Sequence, residues 1–305
     1  MPGSIASGNL YYFLWRELAL SSNNFDTIEV SSKENLTLRF LYNTLPGRLF
    51  LKLLIKPFLS KFIGILLDTP VSGLFIKGFI KRNKIDMKEF QQVKYKSFND
   101  FFSREVIKEY RPFPDRIQDL IAPCDGKLMV YQINADSVFQ IKNSMYDINS
   151  LVQDKSLADQ YIDGTCLIFR LTPDDYHRYC YIDNGEILSV KNIKGVLHTV
   201  RPISLKHYNI YKMNSREYSV IQTENFGQII QIEVGALFVG RIKNKTESGF
   251  VKRWTEKGMF EFGGSTIIML LQKDKIVIED IIFSNTNQNK ETIVKMGNKI
   301  GEKKI

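Results

Sequence analysis

Four consecutive residues, Gly263-Gly264-Ser265-Thr266, stand just ahead of an apolar run and carry the most reactive possibility in the chain. A seryl hydroxyl attacks the carbonyl before it only where that peptide is open and can be distorted, and glycine permits both. Attack of Ser265 Oγ on the Gly264 carbonyl forms an ester. β-Elimination from that ester leaves dehydroalanine, which hydrolyses to a pyruvoyl group. Taken alone, the same tetrapeptide is an ordinary turn between strands. Imidazoles, the usual proton carriers, are scarce: His177, His198 and His207 are the three in the chain. Asp125 lies in Pro123-Cys124-Asp125-Gly126, which by itself also reads as a turn. The cysteines, Cys124, Cys166 and Cys180, are odd in number and form no CxxC, so neither a disulfide framework nor a zinc ribbon is expected. A reducing, intracellular setting fits that usage.

The elements that must position these groups divide by periodicity. Residues 36 to about 110 read as helical. Arg48, Lys52 and Lys56 recur every four residues as one basic stripe, with Leu49, Phe50, Leu53 and Leu54 facing away from it. Pro57 ends or kinks that helix, and Asp68-Thr69-Pro70 starts another running to about Arg82. Ser97 and Asp100 resemble a capping box, and the helix they open is expected to continue to Arg111-Pro112. After Ala122 the period becomes two. Strands are expected at 127–133, 165–171, 186–191, 228–234, 265–271 and 275–278. In 228–234, Ile230, Ile232 and Val234 share one face, with Gln231 and Glu233 opposite. The fold class is therefore α+β: an extension over 1–35, a helical part over 36–112, and a β-rich part over 113–305.

The charge is unevenly spread. Lys and Arg total 42 against 33 Asp and Glu, a net +9. From Leu45 to Ile85 there are eight basic residues and a single acidic one, Asp68, so most of the surplus lies in one apolar-rich segment. Such a segment reads as binding an anionic membrane surface, or as a helical subdomain with a solvated basic face. Nucleic acid is not favoured, because no recognised binding motif accompanies the charge. The first fifteen residues lack the basic and apolar regions of a signal peptide, and no run reaches the 18 apolar residues of a membrane span.

Several motifs, in order, resemble the phosphatidylserine decarboxylase family. They are Phe98-Asn99-Asp100-Phe101-Phe102-Ser103-Arg104, Ala122-Pro123-Cys124-Asp125-Gly126, Asp175-Tyr176-His177-Arg178, Gly195-Val196-Leu197-His198-Thr199-Val200 with Pro202, Glu224-Asn225-Phe226-Gly227, Val234-Gly235-Ala236 with Val239-Gly240, and Phe262-Gly263-Gly264-Ser265-Thr266. The resemblance spans about residues 98–301. It implies a proenzyme that cleaves itself between Gly264 and Ser265, giving a β chain of 1–264 and an α chain of 265–305 that starts with a pyruvoyl group made from Ser265. It implies no metal and no added cofactor. Phosphatidylserine would form a Schiff base with the pyruvoyl carbonyl, lose carbon dioxide, and leave as phosphatidylethanolamine.

The resemblance also implies roles. Asp125 supports the processing base as a triad aspartate supports its histidine. His177 is a proton donor in the active site. Gly235 and Gly240, otherwise plain strand glycines, let the backbone approach the pyruvoyl group, and Arg178 is either a surface ion pair or an anion contact. The chain departs from the family at Cys180, where many members carry the histidine that acts as processing base. A thiol is a poorer base than an imidazole at neutral pH. His198 is the first candidate to replace it and His177 the rival, while His207 reads as a surface residue. The expected setting is peripheral, on the cytoplasmic face of the cell membrane, as a homodimer. The alternatives are a pyruvoyl decarboxylase of another amino-acid derivative, or a lipid-binding relative that does not process.

Overall fold

A computed structural model of the chain describes residues 25–30, 36–111, 113–135, 138–141, 144–205, 207–237, 241–263 and 265–305. The helical part is a chain of short segments broken where prolines forbid continuation. Helix α1 spans Leu36–Asn43 and α2 spans Leu45–Leu54, with Thr44 as its N-cap and its hydroxyl accepting from Gly47 N at 3.0 Å. Pro57 opens α3, Pro57–Leu67, because a residue without an N–H is tolerated at the first helical position. Pro70 likewise opens a 3₁₀ turn, Pro70–Phe75, which leads into α4, Ile76–Asn83. Among the described residues no single helix is long and apolar enough to cross a membrane. Pro57–Leu67 and Pro70–Asn83 together reach that length and composition, but they meet at 85°.

The helix expected from Ser97 to Arg111 is much shorter: α5 is Phe98–Phe102. Its start is as expected, with Ser97 Oγ accepting from Asp100 N at 3.2 Å. Its end is set by Arg104, whose guanidinium turns inward under Phe90 and Phe101 and bonds backbone carbonyls 70 residues away. Three aromatic residues of α5, Phe98, Phe101 and Phe102, are buried with Phe90 and Tyr176. Each is worth about 1.5–3 kcal/mol of burial, more than continued helix would return.

The two main sheets are built from the strands β1 Thr27–Glu29, which comes from the extension, β2 Gly126–Gln132, β3 Thr165–Leu171, β4 Arg178–Cys180, β5 Gly185–Ile193, β6 Arg216–Thr223, β7 Gln228–Val234, β8 Ile242–Asn244, β9 Gly249–Val251, β10 Glu256–Phe260, β11 Ser265–Leu271 and β12 Lys290–Val294. Nine form one antiparallel sheet in the order β1-β12-β2-β3-β11-β7-β6-β5-β9, and β8-β10-β4 form a second. Strand β11 lies at the centre of the large sheet between β3 and β7, and all seven of its residues are buried. The expected strands 165–171, 228–234 and 265–271 are found at those bounds, and the others lie within two residues of theirs. One core covers the face carrying Ile267 and Met269, and another covers the face carrying Ile268 and Leu270. Gln231 and Glu233, the polar alternates of β7, are therefore as buried as the isoleucines between them. Polar alternation in this strand marks a charged pair inside the protein, not a wet face.

Candidate active site

Ser265 is the first residue of β11, and the backbone reaches it through Gly263, whose φ of +135° is one that favours glycine. Gly264 lies outside the described residues. The Ser265 side chain is 0% exposed, and its Oγ has no hydrogen-bond partner among the described residues. A buried hydroxyl normally finds a partner, so this atom is an exception among buried polar groups. Register fixes its neighbours: Ser265 pairs with Leu171 of β3, and Thr266 pairs with Val234 of β7. The strand ends beside Ser265 therefore lead directly to Gly235 on one side and to the 172–177 turn on the other.

His177 arrives from that turn. Its ring packs on Phe102 with centroids 4.1 Å apart, and its backbone carbonyl accepts from Phe260 N at 2.9 Å, which ties it to the second sheet. Nδ1 lies 2.9 Å from the carbonyl of Asp175. A carbonyl only accepts, so Nδ1 carries the proton and Nε2 keeps its lone pair. Nε2 is buried with no partner among the described residues. Burial, reinforced by the nearby Arg104 cation, pushes the imidazole down to about 3, so it is neutral at physiological pH. Arg104 donates to the carbonyls of Asp174 and Asp175, the latter being the one that orients His177.

His198 reaches the same strand ends from the other side. Asn214 holds its loop: Asn214 Nδ2 donates to the carbonyls of His198 and of Gly235, both at 2.8 Å, and Asn214 Oδ1 accepts from His198 N at 2.9 Å. The ring stacks on Tyr208 and lies 3.2 Å from the hydroxyl of Tyr42 in α1. Burial pushes this imidazole down to about 4. Its Nε2 is also buried without a partner among the described residues.

The remaining expected residues are placed as follows. Asp125 is buried and accepts from Arg111 Nε at 2.9 Å, from Arg111 Nη2, and from Met296 N at 2.8 Å. Burial would raise its carboxyl, but the Arg111 charge and bonds outweigh that and hold it below the usual range. No histidine is among its bonded partners; it ties Arg111, and through it Glu89, to the 290–305 segment. Arg178 pairs with Glu256 at 3.0 Å and Glu105 at 3.4 Å, and its Nε donates to Ser103 O at 2.8 Å. Cys180 is part of the core, and burial pushes its thiol up to about 12, which removes it as a base. His207 is exposed against Asn43. Gly240 lies outside the described residues. Tyr42, Asn214, Arg104 and Phe102 were not anticipated as site residues. The Phe-Phe-Ser-Arg motif gave a signal for the last two, whereas nothing local marks Tyr42 or Asn214.

Residues 98–302 match the phosphatidylserine decarboxylase family. The chain is 50% identical over 270 residues to phosphatidylserine decarboxylase proenzyme 2 of Clostridium acetobutylicum, covering 88% of this chain and 92% of that protein. It is 40% identical to the phosphatidylserine decarboxylase proenzymes of Clostridium novyi and Fusobacterium nucleatum, covering 87% and 88% of this chain and 92% and 91% of theirs. On the family match and on these identities over most of its length, the chain belongs to the phosphatidylserine decarboxylase family.

Proposed function

We propose that this chain is a self-processing, membrane-seated enzyme that converts phosphatidylserine to phosphatidylethanolamine, with His177 as the base for processing. The observation that carries the reading is Ser265 itself, buried at the head of the central strand, with no partner for its Oγ among the described residues. In the precursor, Ser265 Oγ attacks the carbonyl of residue 264 and gives up its proton. The chain passes from the Ser265 nitrogen to its oxygen, elimination expels a carboxylate at residue 264, and hydrolysis releases ammonia. The Asp175 carbonyl holds the His177 proton on Nδ1 and leaves Nε2 a lone pair to take the hydroxyl proton, which moves the preference from His198 to His177. The pyruvoyl group made from Ser265 supplies a carbonyl sink for the electrons released with carbon dioxide. The position suits such a group: it is enclosed, with Leu171 paired to Ser265 and Val234 paired to Thr266 beside it. The test is intact mass. Wild type is expected to separate into two chains, the smaller being residues 265–305 with a blocked N-terminus, while Ser265→Ala stays full length and inactive. A full-length, inactive wild type refutes the reading.

The helical part supports membrane seating. Leu49, Phe50 and Leu53 of α2 point outward with Phe58 and Phe62 of α3 and Leu74, which is 81% exposed. Helix α2 instead buries Leu51 and Gly47. So large a run of apolar side chains in water is unusual for a protein that touches only water. Lys52, Lys56, Lys61, Lys77 and Lys81 are exposed among them, which suits an anionic lipid surface. Wild type is expected to co-sediment with phosphatidylserine-containing vesicles and less so as salt rises. Lys52→Glu with Lys56→Glu should weaken this by roughly 2 kcal/mol or more, at about 1 kcal/mol per charge lost. Equal binding by the variant, or to neutral vesicles, would count against the assignment.

A further inference from the structure

Tyr42 is buried at the seam where the membrane-facing helices meet the active-site loop, and no family motif contains it. Its ring belongs to a small core made by α1 and α2 with Ile203 and Leu237. The same seam carries a backbone bond from Leu197 N to Ile55 O, 2.9 Å, so both neighbours of His198 are held by the helical part. The phenol oxygen accepts from Thr199 N at 3.1 Å and sits 3.2 Å from His198 Nδ1. Its own proton must go somewhere, because a buried hydroxyl proton left unpaired is costly. Among the described residues the one available acceptor is His198 Nδ1. Accepting that proton leaves Nδ1 bare of its own, so the neutral ring carries hydrogen on Nε2, the atom with no partner in the site.

We propose that Tyr42 is a positioning residue: its hydroxyl fixes His198 as the Nε2–H tautomer, presenting a buried, uncharged donor to an acceptor oxygen of the substrate headgroup. This deepens the proposed decarboxylase reading and rests on it for the identity of the acceptor. The two imidazoles then have opposite polarity. The Asp175 carbonyl makes His177 Nε2 an acceptor, and the Tyr42 hydroxyl makes His198 Nε2 a donor.

The test separates the hydrogen bond from turnover. In full-length Ser265→Ala protein with ¹⁵N-labelled histidine, the His198 signals, assigned by their loss in His198→Gln, should show a protonated Nε2 and an unprotonated Nδ1. Tyr42→Phe in the same background keeps the ring but removes the hydroxyl, and should shift His198 to Nδ1–H or to a mixture. In the processed enzyme, Tyr42→Phe should lower kcat about tenfold or more with KM for phosphatidylserine within about twofold. An Nδ1–H tautomer in the tyrosine-containing protein overturns the proposal, and does so even if Tyr42→Phe does not fold. A Tyr42→Phe protein that is merely less stable, with tautomer unchanged, also overturns it. Failure of the decarboxylase reading would appear elsewhere, in the uncleaved mass of wild type.

Discussion

His177→Ala is expected to stay full length, with cleavage slowed by about 10²–10⁴, the range that a positioned base contributes. His198→Ala and Cys180→Ala are both expected to cleave. Of these, Cys180→Ala should turn over normally, whereas His198→Ala should lose about 10² in kcat, as for a missing hydrogen-bond donor. Time courses of precursor loss on denaturing gels, followed by carbon dioxide release, measure both steps. The reasoning is one of lone pairs. His177 Nε2 is the atom left bare by the Nδ1 bond to Asp175, and Cys180 is a packed thiol pushed far above neutrality. A His198→Ala protein that fails to cleave, beside a His177→Ala protein that does, would return the base to His198.

The same assignment sets a pH dependence. A histidine with an ordinary value near 6.5 would lose about thirtyfold of its basic form by pH 5. Burial holds His177 down to about 3, so the basic form is fully present across that window and cleavage should be flat from pH 8 to 5. The cost appears in stability. Below pH 6.5 the unfolded chain takes a proton that the folded site refuses until about 3, so acid erodes stability across that interval.

The sequence made the strands legible because their side chains alternate and their turns carry Asp-Gly and Asn-Gly signals. Residues 228–234 fall at the expected bounds for that reason, whereas 165–171 and 265–271, also at theirs, are nearly unbroken apolar runs that follow Asp163-Gly164 and Gly263-Gly264. It made two helical starts legible as well, through Ser97 and Pro70, since caps and proline act locally. The end of α5 was not legible. It is decided by Arg104 folding back onto carbonyls at 174 and 175, a contact no window of sequence contains. The site divides in the same way. Ser265, His177 and His198 were singled out through motifs, but their surroundings come from atoms far away in the chain: the Tyr42 hydroxyl lies 3.2 Å from His198 Nδ1 across 156 residues. Asp125 was assigned by analogy to a histidine, and its carboxylate is instead filled by Arg111. Residue type named the candidates, and only the fold could say which nitrogen holds the proton.

Lys257→Met is expected to be the most destabilising single change in the β-rich part, at about 3–5 kcal/mol, the range for stranding one partner of a buried ion pair. Lys257 Nζ and Glu233 Oε2 are 2.8 Å apart, and both side chains are 0% exposed. Asn244 Nδ2 supplies the other bond to that oxygen at 3.1 Å. Burial already holds the Glu233 carboxyl above its ordinary value, with Lys257 as the largest opposing influence. Removing the cation takes away the largest influence opposing burial and leaves the Asn244 bond, so the carboxyl rises further. The sign of the pH effect follows. The folded variant binds a proton that the unfolded chain does not, between the ordinary value and the raised one, so the deficit shrinks as pH falls through the raised value and is greatest at alkaline pH. Melting full-length Ser265→Ala keeps the unfolding unit a single chain, and the expected drop is on the order of 10 °C. The double variant Lys257→Met with Glu233→Gln removes both charges and should recover most of it. Glu233 pairs with Ile267, two residues along β11 from Ser265, so wild-type-background Lys257→Met should also slow cleavage. A double variant as unstable as the single one would show that packing, not the uncompensated carboxylate, holds this corner of the site together.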